Sequence, residues 1–324
     1  MSNAIKILTP GWFTTVHDQG RFDFLHMGVP VSGYLDKFSA AMANFLVGNP
    51  ADTALLEITV VGPGFAVLKE MDMALTGADM DIRVNHMSMP QWATIRLKPG
   101  DTVVLGPAQK GCRGYLAFGG GIDVPRIMGS RSTYFAGKTG GFYGRALKKE
   151  DVLKTVDKAV LDKPRHLPGE YRPDFGNSIT IRAIPGPQED FFKPDSLFGS
   201  SYEVTQKADR MGYRLSGPGV PIREGLPKSI ISEPVLPGSI QIPPDQQPIV
   251  LLNEQTVGGY AKIATIISCD LPKVAQALPG DTIVFEKIDL PLAHQIYYRE
   301  REKIQTIKAL FFGCKQSINP DKDR

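Results

Sequence analysis

Glycine and proline interrupt this sequence so often that long helices have little room to form. The chain contains 33 glycines and 26 prolines among 324 residues, more than an average protein of this size, and they follow no collagen-like repeat. The short segments between them are bounded by turn-forming residues, which predicts a mainly β fold of barrels or sandwiches with few helices. The clearest predicted strands are 73–75, 81–84, 94–97, 102–105, 113–118, 179–184, 249–252 and 282–285.

Two landmarks of the first half of the chain return in the second half. Segment 7–11 resembles 181–186, and the tetrapeptide Pro-Gly-Asp-Thr occurs at both 99–102 and 279–282. Matched landmarks at nearly one spacing suggest a duplicated β unit, with a coincidence of common Pro-Gly turns as the alternative. Between the halves, residues 148–174 are rich in charge and contain three prolines, which predicts a linker.

Two segments are predicted as helices. The first lies between Asp36, a favourable N-cap residue, and Gly48, with apolar side chains at three- and four-residue steps. The second lies between Asp289 and Gly313 and has a similar apolar stripe. We expect this second helix to pack on its own chain rather than on a partner.

Charge and cysteine usage exclude several classes of protein. The formal net charge is only +3 and the basic residues are scattered, which does not favour binding to nucleic acid. Cys112, Cys269 and Cys314 are far apart and lack ligand spacing, which predicts neither a disulfide framework nor a zinc site and is typical of a cytoplasmic protein. No run of 18 apolar residues and no signal-peptide pattern occurs, so we expect no membrane segment.

Familiar catalytic motifs are also missing. The sequence contains no HExxH, no GxSxG and no GxGxxG after a strand, and its five histidines are isolated from one another, so we expect no metal. Segment 132–139 reads S-x-x-x-x-G-K-T and lacks the first glycine of a P-loop. Because Gly140 and Gly141 follow it and resist helix formation, the phosphate cradle of a P-loop is not expected there.

Glycine-rich segments between residues 119 and 145 are the most informative feature for function. Glycines let backbone N–H groups approach a ligand closely. The interspersed Arg131, Ser132, Lys138 and Arg145 are candidates to hold a carboxylate or phosphoryl group by charge-assisted hydrogen bonds. The alternative is a series of β-turns with solvated basic residues.

A second polar cluster follows the apolar strand at 249–252. Gln255, Tyr260 and Lys262 are candidate substrate-binding residues there, since polar side chains just beyond a buried strand often line sites. A hairpin turn without a ligand is the alternative. We expect the two clusters to converge on one cavity that holds a small acidic amide.

An acid and a base also lie close together near the N-terminus. Asp18 and Arg21 are three positions apart in a segment that contains Gly20. We interpret them as a local ion pair that orders the turn, with a functional pairing of an acid with a base as the alternative.

A long series of these motifs resembles one protein family. It covers residues 5–287 and is similar to the biotin-dependent carboxyltransferase/allophanate hydrolase subunit 2 family, which includes the C subunit of bacterial ATP-dependent 5-oxoprolinases. The motifs are 14–21 (TTVHDQGR), 28–33 (GVPVSG), 43–49 (ANFLVGN), 56–59 (LEIT), 75–78 (LTGA), 129–134 (GSRSTY), 212–215 (GYRL), 232–235 (SEPV), 238–243 (GSIQIP) and 258–260 (GGY).

The resemblance implies a fold, partners and a reaction. It implies two cyclophilin-like β-barrel domains, over 1–147 and 175–324, joined by the charged linker 148–174 and ending in the terminal helix. The implied partners are the KipI-like B subunit and the A subunit of 5-oxoprolinase, and the implied reaction is the ATP-driven opening of 5-oxoproline to glutamate, with ATP used by the complex. A γ-lactam is a poor electrophile, so phosphorylation of its oxygen would make it easier to cleave.

Two other functions remain open at this point. The same family includes carboxyltransferase regions that use biotin to act on urea or a related amide. This chain has no Met-Lys biotinylation motif, so biotin would have to arrive on another protein. The second alternative is a KipA-type regulatory protein that binds an inhibitor of a sensor kinase.

Overall fold

The computed structural model describes residues 1–313, so Cys314 lies outside the described residues. As predicted, the fold is mainly β, with three α-helices in this part of the chain. The strands are β1 (Ser2–Thr9), β2 (Phe13–His17), β3 (Leu55–Thr59), β4 (Gly64–Val67), β5 (Met71–Val84), β6 (Met87–Met89), β7 (Ile95–Leu97), β8 (Thr102–Phe118), β9 (Val152–Thr155), β10 (Ser178–Pro185), β11 (Ser201–Ala208), β12 (Gly212–Ser216), β13 (Glu233–Pro234), β14 (Ser239–Ile242), β15 (Ile249–Leu251), β16 (Val257–Gly258), β17 (Ala261–Ile266) and β18 (Thr282–Lys287). The helices are α1 (Lys37–Leu46), α2 (Leu271–Gln276) and α3 (Leu290–Phe312). None of these helices is long and apolar enough to cross a membrane.

Strands β1–β9 form one sheet that curves into half a barrel. Its main path is β2-β3-β8-β4-β1-β9, and β5 also pairs with β6, β7 and β8. Bulges beyond Gly77 bend β5 without ending it. The predicted strands 73–75 and 81–84 are therefore one strand, and 102–105 and 113–118 are likewise joined in β8. Turn-forming residues are visible in a sequence, but a bulge that accommodates them is not.

The segment predicted as a linker, 148–174, is partly a strand. β9 lies within it and pairs antiparallel with β1 at the edge of the sheet. Further along, the guanidinium of Arg165 donates a 2.6 Å hydrogen bond to the carbonyl of Phe45 at the end of α1. This segment therefore adds to the first sheet before the chain crosses to the second unit. The limits of the two predicted domains stay a prediction.

The second half of the chain forms a closed barrel of seven strands. Their order is β10-β17-β14-β15-β12-β11-β18, and β10 and β18 pair in parallel, while β13 and β16 make a separate ribbon. Apolar side chains fill the interior, including Tyr202 and Phe285, whose ring centroids are 5.9 Å apart. Because the interior is packed, polar ligands can bind only at its surface and loops.

The two Pro-Gly-Asp-Thr turns have the same structure, as a duplicated β unit predicts. Gly100 and Gly280 have φ of 91° and 95°, in the left-handed region that favours glycine. The carboxylates of Asp101 and Asp281 each accept a 2.7 Å hydrogen bond from the backbone N–H three residues earlier. Each turn leads into the strand, β8 or β18, that pairs with β4 or β11.

Both predicted helices are confirmed within a residue or two of the expected ends. Asp36 caps α1 by accepting a 2.9 Å hydrogen bond from the Ser39 N–H. Helix α3 is capped by Asp289 and ends at Gly313, with φ of 69°. Its buried Ile296 packs on the barrel side and its buried Ile307 packs against α1. The helix thus packs on its own chain and contacts both halves.

One glutamine side chain joins the two halves at their centre. Gln276, the last residue of α2, lies against β8 of the first sheet. Its Oε1 accepts hydrogen bonds of 3.0 and 2.9 Å from the N–H groups of Cys112 and Arg113, and its Nε2 donates 2.9 Å bonds to the Arg113 carbonyl and to Asp36. Since these contacts are buried, removal of the Gln276 side chain in the folded chain would leave the partner groups unpaired. These contacts fix how the loops of the two halves face each other.

Candidate functional site

A single buried carboxylate holds the glycine-rich loop against the end of β2. Asp18 accepts hydrogen bonds from the Gly20 N–H (2.9 Å), the Ser130 hydroxyl (2.6 Å), the Arg131 N–H (2.5 Å) and the Ser132 hydroxyl (2.7 Å). The Asp18 N–H in turn donates to the Ser132 hydroxyl at 3.0 Å. Because a buried carboxylate needs several donors, these bonds fix the loop that begins the site.

The predicted ion pair between Asp18 and Arg21 is not formed within residues 1–313. Arg21 is buried, and its Nη2 donates a 2.5 Å hydrogen bond to the Ser132 carbonyl. Both side chains therefore hold the same loop by separate contacts. The predicted pairing is wrong, because the turn directs the two side chains to different atoms of a segment more than 100 residues away. Their role in ordering the loop stays a prediction.

The glycine-rich loops line a cleft of about 500 Å³ on the first sheet. Lys138 lines it and is exposed. Lys138 and Tyr143 both have left-handed φ, 49° and 57°, an unfavourable conformation for residues with a Cβ that is common at functional sites. The lining residues are Asp123, Val124, Pro125, Ile127, Lys138, Thr139, Gly140, Gly141, Phe142, Tyr143, Gly144, Val152 and Lys154, which we call the glycine cleft.

The two predicted arginines are occupied by contacts within the chain. Arg131 donates a 2.9 Å hydrogen bond to the Val124 carbonyl. Arg145 makes a two-point ion pair with Asp151 at 2.7 and 2.8 Å and stacks over the ring of Phe142; this hydrogen bonding raises the pKa of Arg145. Among the four candidates in this region, Lys138 is the one that lines the cleft. The Ser132 hydroxyl instead donates a hydrogen bond to Asp18.

The segment that resembles a P-loop forms a tight turn. Tyr134 and Thr139 exchange backbone hydrogen bonds of 2.8 and 3.1 Å, and no helix follows in the described chain before the short turn of 3₁₀ helix at 169–171. The helix N-terminus that cradles phosphates in a P-loop is therefore missing at this position. This agrees with the expectation from Gly140 and Gly141.

The second polar cluster lines a different cleft. Gln255 and Tyr260 border a cleft of about 470 Å³ on the barrel, together with Lys207 and Arg214. Lys262 is buried and pairs with Glu233, so it does not face this cleft. The expectation of one shared cavity is therefore wrong for these side chains, because the two clusters line separate clefts.

The segment of the second cluster contacts the loop that follows Arg21. The Ser32 N–H donates a 3.1 Å hydrogen bond to the Asn253 carbonyl, and the Asn253 side-chain amide donates to the carbonyls of Gly33 and Tyr34, both at 3.3 Å. The segment that carries Gln255 is thus fixed directly against the loop that follows Arg21.

A buried network of charges between the halves was not predicted. Arg210 from the barrel pairs with Glu57 of β3 and, at 2.6 Å, with Glu254. Glu57 also accepts a 2.9 Å hydrogen bond from the Tyr115 hydroxyl. Burial opposes ionisation of Glu57, but nearby cationic groups, above all Arg210, outweigh it and lower its pKa to about 2. The one signal in the sequence is a glutamate inside an otherwise apolar strand.

His17 is held in one protonation state inside this network. Its Nδ1 lies 2.8 Å from the Ser32 carbonyl and its Nε2 lies 2.8 Å from the Thr15 hydroxyl. Because a carbonyl can only accept, Nδ1 carries the hydrogen and Nε2 accepts from Thr15. Burial, followed by the charge of Arg210, lowers the pKa of His17 to about 3.

This neutral histidine predicts a stability that decreases as the pH falls. Between about pH 6.5 and 3, unfolded chains bind a proton at His17 that the folded chain rejects, so stability decreases on acidification by up to roughly 1.4 kcal/mol per pH unit. Urea unfolding at pH 7 and pH 5 should show this loss. His17→Gln should reduce the difference between the free energies of unfolding at the two pH values. The exposed His26→Gln is the control; an equal effect of both substitutions would contradict the assignment.

Residues 1–313 contain no group of three or more His, Cys, Asp or Glu side chains placed to hold a metal ion.

Comparison with known proteins identifies similar chains over most of this length. The family described as carboxyltransferase domain, subdomain A and B, matches residues 27–287. The chain is 38% identical to the C subunit of Escherichia coli 5-oxoprolinase, over 88% of this chain and 92% of that protein. It is 33% identical to Saccharomyces cerevisiae urea amidolyase, over 90% of this chain but only 17% of that protein. The crystal structure of Kluyveromyces lactis urea carboxylase aligns with a TM-score of 0.89 at 31% identity, covering 98% of this chain and 30% of that one.

Proposed function

This chain belongs to the carboxyltransferase domain family of subdomains A and B, and from that premise we propose that it is the C subunit of an ATP-dependent 5-oxoprolinase. In this proposal it acts in the cytoplasm with the A and B subunits, and the complex opens the lactam of 5-oxoproline to glutamate with hydrolysis of ATP. The chain contributes a substrate-binding surface, and ATP is a substrate of the complex.

The observation that carries the proposal is the match to the Escherichia coli protein. Identity of 38% extends over 92% of that protein, whereas the urea amidolyase match is lower in identity and occupies 17% of a much longer chain. A protein that aligns along nearly the whole of a separate subunit is best explained as the equivalent subunit.

The glycine cleft suits the charge of the proposed substrate. 5-Oxoproline carries a carboxylate, and the cleft brings Lys138 and Lys154 together with the backbone of Gly140 and Gly141. Cations and glycine N–H groups can bind an anion without moving large side chains. In the proposal, the shape of this cleft depends on Arg131, Ser132 and Arg145. The segment that carries the second polar cluster is supported by Gln255, Tyr260 and Lys262.

Reconstitution tests the proposal. We expect the chain, mixed with the A and B subunits, to convert 5-oxoproline to glutamate with stoichiometric release of ADP. Leaving out this chain should reduce glutamate formation to the background of the other two proteins alone. Equal ATP-dependent turnover in its absence would contradict the proposal, and co-purification of all three proteins without turnover would favour the KipA-type regulatory function.

Biotin-dependent carboxyl transfer is the second candidate. The observation that favours it is the TM-score of 0.89 to urea carboxylase over 98% of this chain. Biotin would have to arrive on another protein, because this chain has no Met-Lys motif. Transfer of labelled carboxylate from carboxybiotin to urea by the same assembled proteins, without glutamate formation from 5-oxoproline, would decide for this function.

A further inference from the structure

One buried arginine next to the glycine cleft has hydrogen-bonding capacity that the described chain does not use. Arg21 is 1% exposed, and the one hydrogen bond of its side chain within residues 1–313 runs from Nη2 to the Ser132 carbonyl. Its Nε and Nη1 are buried without a partner there. A guanidinium ordinarily uses most of its five N–H donors when it is removed from water, since leaving them unpaired is costly.

The nearby acids do not supply the missing partner. Asp18 already accepts four hydrogen bonds from the loop residues and Gly20, and Glu254 is paired with Arg210 at 2.6 Å. Burial lowers the pKa of Arg21, and the charges of Asp18 and Glu254 oppose this change without forming an ion pair with it. Within residues 1–313, the site therefore lacks a negatively charged group in contact with Arg21.

The backbone of Gly140 lies between Nη2 of Arg21 and the glycine cleft. Gly140 lines the cleft, and a Cβ built on it would lie 2.6 Å from Nη2 of Arg21 and 2.2 Å from the Ser132 carbonyl oxygen. No residue with a side chain fits there, and Gly140 also has a φ of 67°. The guanidinium of Arg21 therefore lies directly beneath a residue that lines the glycine cleft.

The segment that covers Arg21 holds backbone strain. In addition to Gly140, Gly141 and Gly144, the non-glycine residues Lys138 and Tyr143 have left-handed φ. Each such non-glycine residue costs roughly 1 kcal/mol or more relative to an ordinary conformation. Strained backbone of this kind clusters at ligand sites and switch regions.

From these contacts we propose that Arg21 binds the carboxylate of a small-molecule substrate that enters through the glycine cleft. The inference rests on the proposed function, in which the substrate is 5-oxoproline, and it assigns the recognition of the carboxylate to a residue interpreted above as loop-ordering. In this proposal the strained segment shifts on binding, the carboxylate accepts hydrogen bonds from the unpaired Nε and Nη1 of Arg21, and Lys138 supplies positive charge in the cleft.

Stability separates this role from a structural one. An unpaired buried cation destabilises a fold, so its replacement by an apolar side chain of similar length is neutral or favourable. We expect the loss of the hydrogen bond to the Ser132 carbonyl to be offset by removal of the unpaired cation, so that ligand-free Arg21→Met melts within about 2 °C of the wild type or above it. An arginine that serves only to hold the loop predicts a clear decrease instead.

Binding is tested with two lactams that differ only in the carboxylate. The melting temperature of the full chain, alone and assembled with the A and B subunits, is measured with 5-oxoproline, 2-pyrrolidinone and inorganic phosphate. We expect 5-oxoproline to raise the melting temperature and 2-pyrrolidinone to leave it unchanged. In Arg21→Met, neither lactam should raise the melting temperature. A rise with inorganic phosphate alone would overturn the proposal in favour of a phosphoryl site.

Kinetics of the assembled complex give the second readout. Arg21→Met should raise KM for 5-oxoproline by about 10- to 100-fold, the value of a hydrogen bond to a charged group, with a smaller change in kcat and in KM for ATP. Arg126→Met is the matched control, because Arg126 is exposed beside two residues of the cleft, and it should change KM by less than about twofold. If Arg21→Met does not fold, Arg21→Lys keeps the charge with fewer donors and should also raise KM.

The outcomes distinguish this proposal from the function on which it rests. The complex could hydrolyse 5-oxoproline with an unchanged KM when it contains folded Arg21→Met or Arg21→Lys. That result would overturn the role of Arg21 but not the proposed function. The assembled complex could instead fail to hydrolyse 5-oxoproline while the chain still binds 5-oxoproline in preference to 2-pyrrolidinone and loses this preference in Arg21→Met. That result would overturn the proposed function and leave the role of Arg21 standing.

Discussion

Replacement of Arg210 by methionine is expected to lower the free energy of unfolding by about 3–5 kcal/mol, because it leaves a buried ion pair broken on one side. Arg210 pairs with Glu57 and Glu254 and donates to the carbonyls of Ser32 (2.9 Å) and Gly33 (2.7 Å). All of these acceptors lie at the junction of the two halves. Urea unfolding monitored by fluorescence and circular dichroism measures the loss.

A nearby arginine of the barrel provides a control for this prediction. Arg214 of β12 is exposed, and Arg214→Met should change stability by no more than about 0.5 kcal/mol. Adding Glu57→Gln and Glu254→Gln to Arg210→Met should recover part of the lost stability, since the opposite charges are then removed together. A loss below about 1 kcal/mol for Arg210→Met would mean that the junction does not depend on this network.

Asp18→Asn is expected to disable the glycine-rich loop while keeping the size of the side chain. An asparagine has one acceptor oxygen, so its amide nitrogen must face either the Arg131 N–H or the group formed by Gly20, Ser130 and Ser132. We expect a loss of about 2–4 kcal/mol in stability, because charged hydrogen bonds are lost and a buried donor is left unpaired. Misplacement of the loop should reduce turnover of the assembled complex by about 100-fold.

Asp23 provides the comparison for this substitution. It is an exposed aspartate in the same loop with a φ of 70°, a conformation that asparagine also adopts readily. Asp23→Asn should therefore leave both stability and turnover close to the wild type. Full turnover in Asp18→Asn together with the expected loss of stability would remove the glycine cleft as the candidate site. Full turnover at wild-type stability would instead contradict the role of the carboxylate in ordering the loop.

Several features of the fold were predictable because their causes are local. The caps of α1 and α3 depend on Asp36, Asp289 and Gly313, which act within one helical turn. The Pro-Gly-Asp turns depend on residues within four positions of one another, so the repeated tetrapeptide correctly indicated equivalent turns at 99–102 and 279–282. The mainly β fold follows from glycine and proline in the same way.

Features that depend on distant partners could not be predicted in this way. β9 lies in a segment with the composition of a linker, and it is a strand only because β1 offers it an edge. Arg145 and Lys262 have the chemistry of ligand-binding residues, but the fold places Asp151 and Glu233 against them. Arg21, in contrast, was predicted to pair with its neighbour, but it makes no contact with a charged partner within residues 1–313.

The sequence by itself determined the strand-rich architecture, the helix ends, the repeated turns and the family, because short-range backbone preferences and ordered motifs are written along the chain. Only the tertiary structure decided which charges are neutralised, which candidates face a cleft and that the two polar clusters line separate clefts. The physical reason is that hydrogen bonding and electrostatic pairing depend on distance in space. Glu57 and Arg210 are 153 positions apart in the chain and in direct contact in the fold.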